Sequence, residues 1–590
     1  MRPKAPLFPL VLFVLSLTSL LLLSACGGDA GSTNSGASTS GNSSGNSSGT
    51  GAVAVAAVPT FSPAPGSFAA AQTVSISDAT AGAAIYYTLD GSTPTTSSTL
   101  YSAPITVSAT TTLTAIAAAS GLSPSSAANG TYTIAASLNS VNHVLIMFQE
   151  NRSFDHYFWD MTNYRKLNNI PIVTSTGDGL IKDGADPAAQ KMFTNNISPA
   201  AGAIAPHAAG SQCTEDLTPD WADAHNEMDE GNGAAAGPNS PMNGFADTAE
   251  GLSQFLGVLV DTAGRRAMGY FTDTILNYYY FMAANFGMGD MFFSPVPSRT
   301  SANRLYIHAA TSEGYVHPDT DSITQLTSKT IWAELDAAGL SWKIYISDWG
   351  TVVPDGVPSC PINTTSNKCF SFFKFFSDYD TRQQHLVPID QYFSDVQNGT
   401  LPAVAFIETG MQTGQDEHPT NNQGPDIAVP SSVAIRVQSG AVWSSRLVNA
   451  LMTSPSWKDS VFFLTWDEGG GAMDHVPPLS VMNPDGIKPR DLSGDDPPGD
   501  FTITGFRVPN IVISPFAKKN YVSHTPVDVT ALLAFVEKRW NLPPLTKRDG
   551  TWLSTGADMT EFFDFTNVPW ATPPTPPVQR QDAPCDYSLQ

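Results

Sequence analysis

Charge is thin in this chain of 590 residues: Asp, Glu, Lys and Arg together make up 14%, and 29 Lys or Arg stand against 53 Asp or Glu, for a net charge of −24. Such a field repels phosphate polymers, which argues against nucleic acid and anionic lipid as electrostatically steered partners. A small phosphate ester drawn in by a bound cation stays compatible with it. Cysteine is scarce as well, with an odd count of five. Beyond the N-terminus no apolar run is long enough to span a membrane. What is present is an ordinary globular share of apolar residues, 42%, and enough length for a large core and at least one further module.

At the N-terminus Arg2 and Lys4 precede an apolar stretch from Leu7 to Leu23, which runs into Ser24, Ala25 and Cys26. This is the pattern of a secretory signal and not of a domain. With a cysteine after small residues at the cleavage point, it resembles a bacterial lipoprotein signal. The resemblance implies loss of residues 1–25 and an exported chain anchored by lipid on Cys26, in the periplasm or at the cell surface. The alternative is an ordinary signal peptide with a chance cysteine. Residues 26–58 are dominated by Gly, Ser, Ala, Thr and Asn, which cannot bury enough surface to fold. They read as a flexible linker with a reach of roughly 30 Å, enough to lift the folded part off a membrane. Giving Cys26 to the lipid leaves four cysteines for two disulfides. Cys360 and Cys369 bracket a short loop and are expected to pair, leaving Cys213 for Cys585, although four cysteines allow three connectivities.

In residues 59–136 charged residues nearly vanish and short runs of Val, Ile, Thr and Tyr alternate with turns, which predicts a small antiparallel β-sandwich. The turn Asp90-Gly91-Ser92, with Tyr86 and Tyr87 before it and Tyr101 to Ile105 after it, resembles the chitobiase/β-hexosaminidase C-terminal type of repeat. That implies a spacer or an accessory contact with cell wall or polysaccharide. Its tyrosines are expected in the core and at sheet edges.

From residue 137 to 590 strands alternate with helical stretches, the order of an α/β domain whose mostly parallel sheet is flanked by helices. The runs His143–Phe148 and Val461–Trp466 lack alternation and suit strands covered on both faces. Further strands are expected at 342–347, 403–407 and 508–514, the last shortened by Pro509, and a helix at 526–540 after the candidate caps Thr525 and Asp528. Glu150-Asn151 and Asp467-Glu468 follow the two apolar runs directly. Ligands collect at the carboxyl ends of such strands, and these four residues supply hard oxygen donors there.

The segments His143 to Phe158 and Thr465 to Pro478 resemble the first and last signature motifs of the bacterial phosphoesterase family, which contains secreted phospholipases C and AcpA-type acid phosphatases. Intermediate pieces follow in the same order, among them Asp223 to His225, Thr300 to Arg304, Asp416 to Pro419 and Gly505 to Pro509. The resemblance implies an alkaline-phosphatase-like fold and a divalent metal ion held by Glu150, Asn151, Asp467 and Glu468 and completed by a nucleophilic hydroxyl. Residues alone leave Ser298, Thr300 and Ser301 open, and Thr300 in this loop could equally be a turn residue. The resemblance selects Thr300, which implies a phospho-threonine intermediate. It departs from the family pattern in carrying Arg299 where a glycine is common just before this hydroxyl.

On the same grounds His225, His418 and His475 are candidates for phosphate contact and for protonating the leaving oxygen, with Asp474 orienting His475. Asn303 and Arg304 are candidates for orienting phosphate oxygens, the arginine having the alternative of pairing with an acid. Asp155 and His156 are expected to start a helix and cap it, and Glu408 to support a ligand from behind. Tyr278 to Phe281 with Phe292 and Phe293 could cage a choline headgroup, with core packing the default. Oxygen-rich ligation fits calcium, magnesium or manganese, while added histidine would admit zinc or iron. About forty residues follow Asp549, without room for the extra C-terminal β domains of larger phospholipases in the family, which leans towards a phosphatase or a compact phospholipase. The competing expectation is a non-catalytic surface lipoprotein that binds polysaccharide through the β-sandwich.

Overall fold

The computed structural model describes residues 54–68, 72–107, 110–134, 136–189, 196–233, 236–318, 325–349, 371–410, 414–419, 436–494 and 496–590. The expected signal, Cys26, most of the linker, and the Cys360–Cys369 pair lie outside these residues. Among the described residues no helix is long and apolar enough to cross a membrane.

The N-terminal module is a β-sandwich. One sheet joins Thr60–Ser62, Gln72–Ser77 and Ile105–Val107; the other runs in the order Gly66–Phe68, Ala128–Ile134, Thr111–Ala118, Ala84–Thr88, Thr99–Leu100. Alternation places Val74, Ile76, Ile105, Val107 and Leu113 inside, with Tyr132 fully buried and its hydroxyl donating to Pro63 O at 2.6 Å. Ser92 N donates to Asp90 Oδ1 at 3.0 Å in the turn between the paired strands Ala84–Thr88 and Thr99–Leu100. Tyr87 packs edge-on against Tyr101.

The large domain is built on nine strands: β1 His143–Gln149, β2 Val173–Thr174, β3 Gly287–Gly289, β4 Trp342–Ile346, β5 Leu386–Pro388, β6 Val404–Glu408, β7 Ser460–Trp466, β8 Asn510–Ile513 and β9 Tyr521–Ser523. Their order is β2-β9-β3-β8-β7-β1-β6-β4-β5, and β8 alone runs against its neighbours. The uninterrupted apolar runs of β1 and β7 sit at the centre, buried on both faces, as their composition requires. Register does the rest. Gln149 faces Trp466 and Phe148 faces Glu408, so β1, β6 and β7 end level and their following residues emerge at one edge of the sheet.

One element boundary is as its proline foretold and one differs from expectation. The strand at 508–514 is confined to Asn510–Ile513, as Pro509 requires. The helix expected from 526 starts at Thr530, because Val527–Asp528 first pairs in parallel with Phe292–Phe293; Asp528 Oδ1 still accepts from Thr530 N at 2.8 Å. Cys213 and Cys585 are bonded, their Cα atoms 4.9 Å apart, tying the C-terminal segment back across 372 residues. Tyr278, Tyr279, Tyr280 and Phe292 are buried in the main core and Phe293 is buried beside it in sequence, so they do not form an open cage.

Candidate active site

The level strand ends bring Glu150, Asn151, Asp467 and Glu468 together. Asn151 N donates to Asp467 Oδ1 at 3.0 Å, Glu468 N donates to the same oxygen at 2.8 Å, and Arg152 N donates to Glu468 O at 2.9 Å. Asn151 holds a left-handed backbone at φ 57°, a conformation asparagine tolerates better than most residues. Gly470, at φ 66°, passes so close that a Cβ there would lie 2.2 Å from Asn151 O. The glycine run after Glu468 is therefore a packing requirement of the turn that presents the two acids.

Thr300 reaches this edge from the start of the helix Thr300–Ala309. Its hydroxyl lies 3.2 Å from Glu150 Oε2 and 3.0 Å from Asn151 Oδ1. Of the competing hydroxyls, Ser298 Oγ is buried and donates to Val316 O at 2.5 Å, away from the acids. Arg299 Nε pairs with Asp220 Oδ1 at 2.5 Å, which fixes the residue in front of Thr300 where a glycine was expected.

Asn303 and Arg304 do not face a substrate space, contrary to the expectation from sequence. Asn303 Oδ1 accepts from Val296 N at 3.0 Å and its Nδ2 donates to Ser298 O at 2.6 Å, so it braces the loop that carries Thr300. Arg304 is buried among carboxylates: Nη2 lies 2.8 Å from Glu150 Oε1, Nε 3.0 Å from Asp467 Oδ2, and Nη1 3.5 Å from Glu408 Oε2. A guanidinium so engaged holds the acids in place, with Nη1 alone left without a hydrogen-bond partner. Glu408 thereby supports the site from behind through Arg304, and it also accepts from Ser371 Oγ at 3.0 Å.

The three histidines separate. His418 joins the site: Asn151 Nδ2 donates to its Nε2 at 3.0 Å, while its Nδ1 donates to Pro419 O, a pairing that leaves Nε2 as the acceptor. His225 is buried beside Trp221, with ring centroids 4.5 Å apart, and its Nδ1 donates to Trp221 O at 2.6 Å. Burial lowers its pKa.

His475 sits in a closed ion cluster. Its Nδ1 is 2.6 Å from Asp155 Oδ2; Arg507 Nη2 is 2.8 Å from Asp155 Oδ1, and Arg507 Nε is 2.8 Å from Asp474 Oδ1. Asp155, and not Asp474, orients the imidazole, which corrects the expected pairing. Burial alone would lower the His475 pKa, but the Asp155 carboxylate outweighs it and raises it to about 9. Asp155 also does not cap its helix: Ser153 Oγ accepts from His156 N at 3.2 Å, and the Asp155 carboxylate turns inward to the two cations. His156 packs on Phe271, with ring centroids 4.8 Å apart.

Sequence reasoning also passed over Glu417. Tyr157 and Tyr279 hydroxyls each donate to its carboxylate at 2.6 Å, and Trp466 Nε1 donates at 3.2 Å. Its carbonyl accepts from Arg152 Nε at 3.0 Å, and its backbone is left-handed at φ 71°. A Cβ on Gly440 would lie 2.1 Å from Glu417 Cγ, so that helix leaves the acid its space. This cage fixes the short segment carrying Asp416, whose carbonyl accepts from Glu150 N at 2.8 Å, and His418. The signal available was an acid inside a matched motif next to a catalytic candidate.

Two groups of residues could attract a metal ion. Asp155, Asp474 and His475 place ligand atoms within 4.8 Å of one another. A cation there would sit against the Arg507 guanidinium, which already balances those carboxylates, so this group does not fit. At the strand ends Arg304 faces an excess of acid. Burial, then the neighbouring Asp467, pushes Glu150 up to about 8 and Glu468 well above the usual carboxylate range. Glu468 Oε1 is buried without a hydrogen-bond partner. Hard oxygen donors with uncompensated charge and an orphaned oxygen fit a divalent cation held by Glu150, Asn151, Thr300, Asp467 and Glu468.

Comparison with known proteins places the whole chain. The Phosphoesterase family model matches residues 141–543, and the chitobiase/beta-hexosaminidase C-terminal domain model matches residues 63–129. Non-specific phospholipase C1 of Arabidopsis thaliana is 28% identical over 440 residues, covering 70% of this chain and 70% of that protein. Phospholipase C B of Mycobacterium tuberculosis is 27% identical over 480 residues, covering 76% and 81%. Among solved structures, a phosphonate monoester hydrolase from Silicibacter pomeroyi overlays with a TM-score of 0.27 at 11% identity, covering 46% of this chain and 69% of that one. An alkaline phosphatase superfamily protein from Vibrio parahaemolyticus gives 0.25 at 11%, covering 44% and 60%. Overlays this partial leave the fold to rest on the sheet order itself. The family model spans more than half of the chain and encloses every residue of the Thr300 site, so the chain belongs to the Phosphoesterase family and is a hydrolase of phosphoric esters.

Proposed function

We propose that the protein cleaves the phosphodiester of phospholipids in the manner of a phospholipase C, with Thr300 as nucleophile and a divalent cation at Glu150, Asn151, Thr300, Asp467 and Glu468. One observation carries the reading: a half-buried hydroxyl at the start of a helix is held 3.2 and 3.0 Å from two oxygens of the acidic strand ends. Glu150 and Asn151 accept its hydrogen, which leaves lone pairs of Oγ free for attack, and the helix start favours an anionic group beside it. When bound, the cation would lower the hydroxyl pKa and polarise the phosphoryl oxygen.

Thr300 Oγ bonds to phosphorus as the bond from phosphorus to the glyceryl oxygen breaks. The hydroxyl proton leaves towards Glu150, and the glyceryl oxygen takes up a proton from solvent water as the diacylglycerol departs. The headgroup phosphate stays on Thr300. Water then attacks phosphorus as the bond from phosphorus to Thr300 Oγ breaks; His418 Nε2 exchanges its hydrogen bond from Asn151 for the water proton and releases that proton to solvent, and Glu150 returns its proton to Thr300 Oγ. Support for a phospholipid substrate comes from the phospholipase C relatives, matched over more than two thirds of their length. The proposal extends to export, to anchoring through Cys26, and to a carbohydrate contact by the sandwich module.

The test is hydrolysis of p-nitrophenylphosphorylcholine and p-nitrophenyl phosphate, with and without chelator, beside Thr300→Ala and Asp467→Asn. Preference for the diester, lost in both variants and on chelation, supports the proposal; preference for the monoester makes the protein a phosphatase. Mass spectrometry of the lipid-bearing N-terminal peptide tests Cys26.

A further inference from the structure

Asp220 links the nucleophile loop to a surface of a different character. Its carboxylate pairs with Arg299, directly before Thr300, and it lines a cavity of about 760 Å³ together with Asp223, Asp247, Leu252 and Phe255. The wall of that cavity is the helix Phe245–Leu256. Its inner face buries Phe245, Ala246 and Ala249 in a core with Met228, Met268 and Phe506. Its last turn does the opposite and holds Phe255 outward, 85% exposed. Gly257, at φ 66°, ends the helix, and the chain then alternates, with Val258 48% exposed, Leu259 7% and Val260 57%. Ile197, 47% exposed, lies on the short strand packed beside the same helix. Leu259 pins the loop, so its two valines are presented by a fixed backbone.

Phe255, Val258 and Val260, exposed within six residues, with Ile197 exposed on the strand packed beside the same helix, mark an interaction surface, since single exposed apolar residues are ordinary and a group of them is not. We propose that Ile197, Phe255, Val258 and Val260 form an interfacial docking surface that inserts into a zwitterionic phospholipid bilayer and sets the Thr300 site against its headgroups. The inference rests on the phospholipid reading above. Charge complementarity selects the kind of bilayer. Asp220, Asp223 and Asp247 line the adjoining cavity, and the whole chain carries −24, so an anionic surface is repelled. A headgroup that ends in an ammonium group is attracted into the same cavity. Apolar insertion supplies the affinity and the carboxylates supply the choice of lipid.

The experiment uses the full chain carrying Cys26→Ser, which removes any lipid at that position, and compares it with the same chain bearing Val258→Ser and Val260→Ser, two patch residues outside the cavity lining. Partition onto phosphatidylcholine and phosphatidylglycerol vesicles is measured by co-sedimentation, and turnover on monomeric dihexanoyl phosphatidylcholine. The expected result is preference for phosphatidylcholine vesicles and a loss of partition on the order of thirtyfold in the double variant, from the apolar area no longer inserted. Turnover of the monomeric substrate stays unchanged, which also reports that the variant is folded. Equal partition by both proteins, or tighter binding to phosphatidylglycerol, overturns the proposal. Patch-dependent partition without turnover of the lipid would leave the docking surface standing and refute the phospholipase reading, while turnover with indifferent partition does the reverse.

Discussion

Two charged clusters flank the end of β1, and they are balanced differently. Around Arg304 converge Glu150, Glu408 and Asp467, with Glu468 beside them, so acid outnumbers the one guanidinium. Around Arg507 lie Asp155 and Asp474, and a His475 held protonated supplies the second positive charge. Both clusters draw on the same two segments, 150–156 and 467–475. The first is uncompensated and borders a half-buried hydroxyl; in the second two cations match two carboxylates, and each cluster keeps one carboxylate oxygen without a hydrogen-bond partner, Glu468 Oε1 and Asp474 Oδ2. Burying unneutralised carboxylates costs folding energy, so their persistence at the strand ends points to a bound cation and to chemistry. The neutral cluster acts as a fastener, joining the first helix to the turn after the glycine run.

The comparison can be broken by exchanging the consequences of mutation. Thr300→Ala should reduce kcat by at least about 10⁴-fold with little change in thermal stability, since only the attacking oxygen is lost; a full-speed variant would remove Thr300 from the chemistry. Arg507→Met should do the converse, destabilising the fold by about 3–5 kcal/mol because it strands two buried carboxylates, as measured by denaturant unfolding. Chelation should lower the thermal stability of the wild type by about 2–3 kcal/mol if the cation is present at roughly a hundred times its Kd. The same treatment should leave Asp467→Asn unmoved.

A subtler effect concerns pH. His475 has a folded pKa of about 9, above its ordinary value. Its contribution to stability is thus fully present below about 6.5 and is lost as pH rises through about 9. Asp155 is held below the usual carboxylate range; although burial alone would raise it, His475 and Arg507 outweigh that, so its contribution is lost only in acid. Unfolding free energy should therefore fall between pH 7 and 10 in the wild type and fall less in His475→Gln. The smallest change expected is in Glu417→Gln, which keeps the shape of the caged side chain. It should cost on the order of tenfold in kcat by loosening the segment that holds His418 against Asn151, with KM nearly constant.

Much of this was legible in the sequence because it is local. The uninterrupted apolar runs marked β1 and β7, the acids that follow them marked the acidic edge, and Pro509 foretold the short β8. The Asp90 turn and the alternation around it gave the sandwich. What could not be read depends on chain segments far apart. That Asp155 reaches a histidine 320 residues away is a matter of register between β1 and β7. Pairing of Arg304 with an acid was open from the sequence, but not that Glu150, Glu408 and Asp467 all surround it. The late start of the helix at Thr530 follows from a two-residue pairing with Phe292–Phe293 that carries no sequence signal of its own.

The most direct measurement is a rapid acid quench of enzyme with p-nitrophenylphosphorylcholine, followed by peptide mass spectrometry. The expected result is a phosphorylcholine adduct confined to the peptide containing Thr300, formed at the rate of the p-nitrophenol burst and absent in Thr300→Ala. An adduct on another residue, or rapid turnover with no adduct at any quench time, would contradict the assignment of the site.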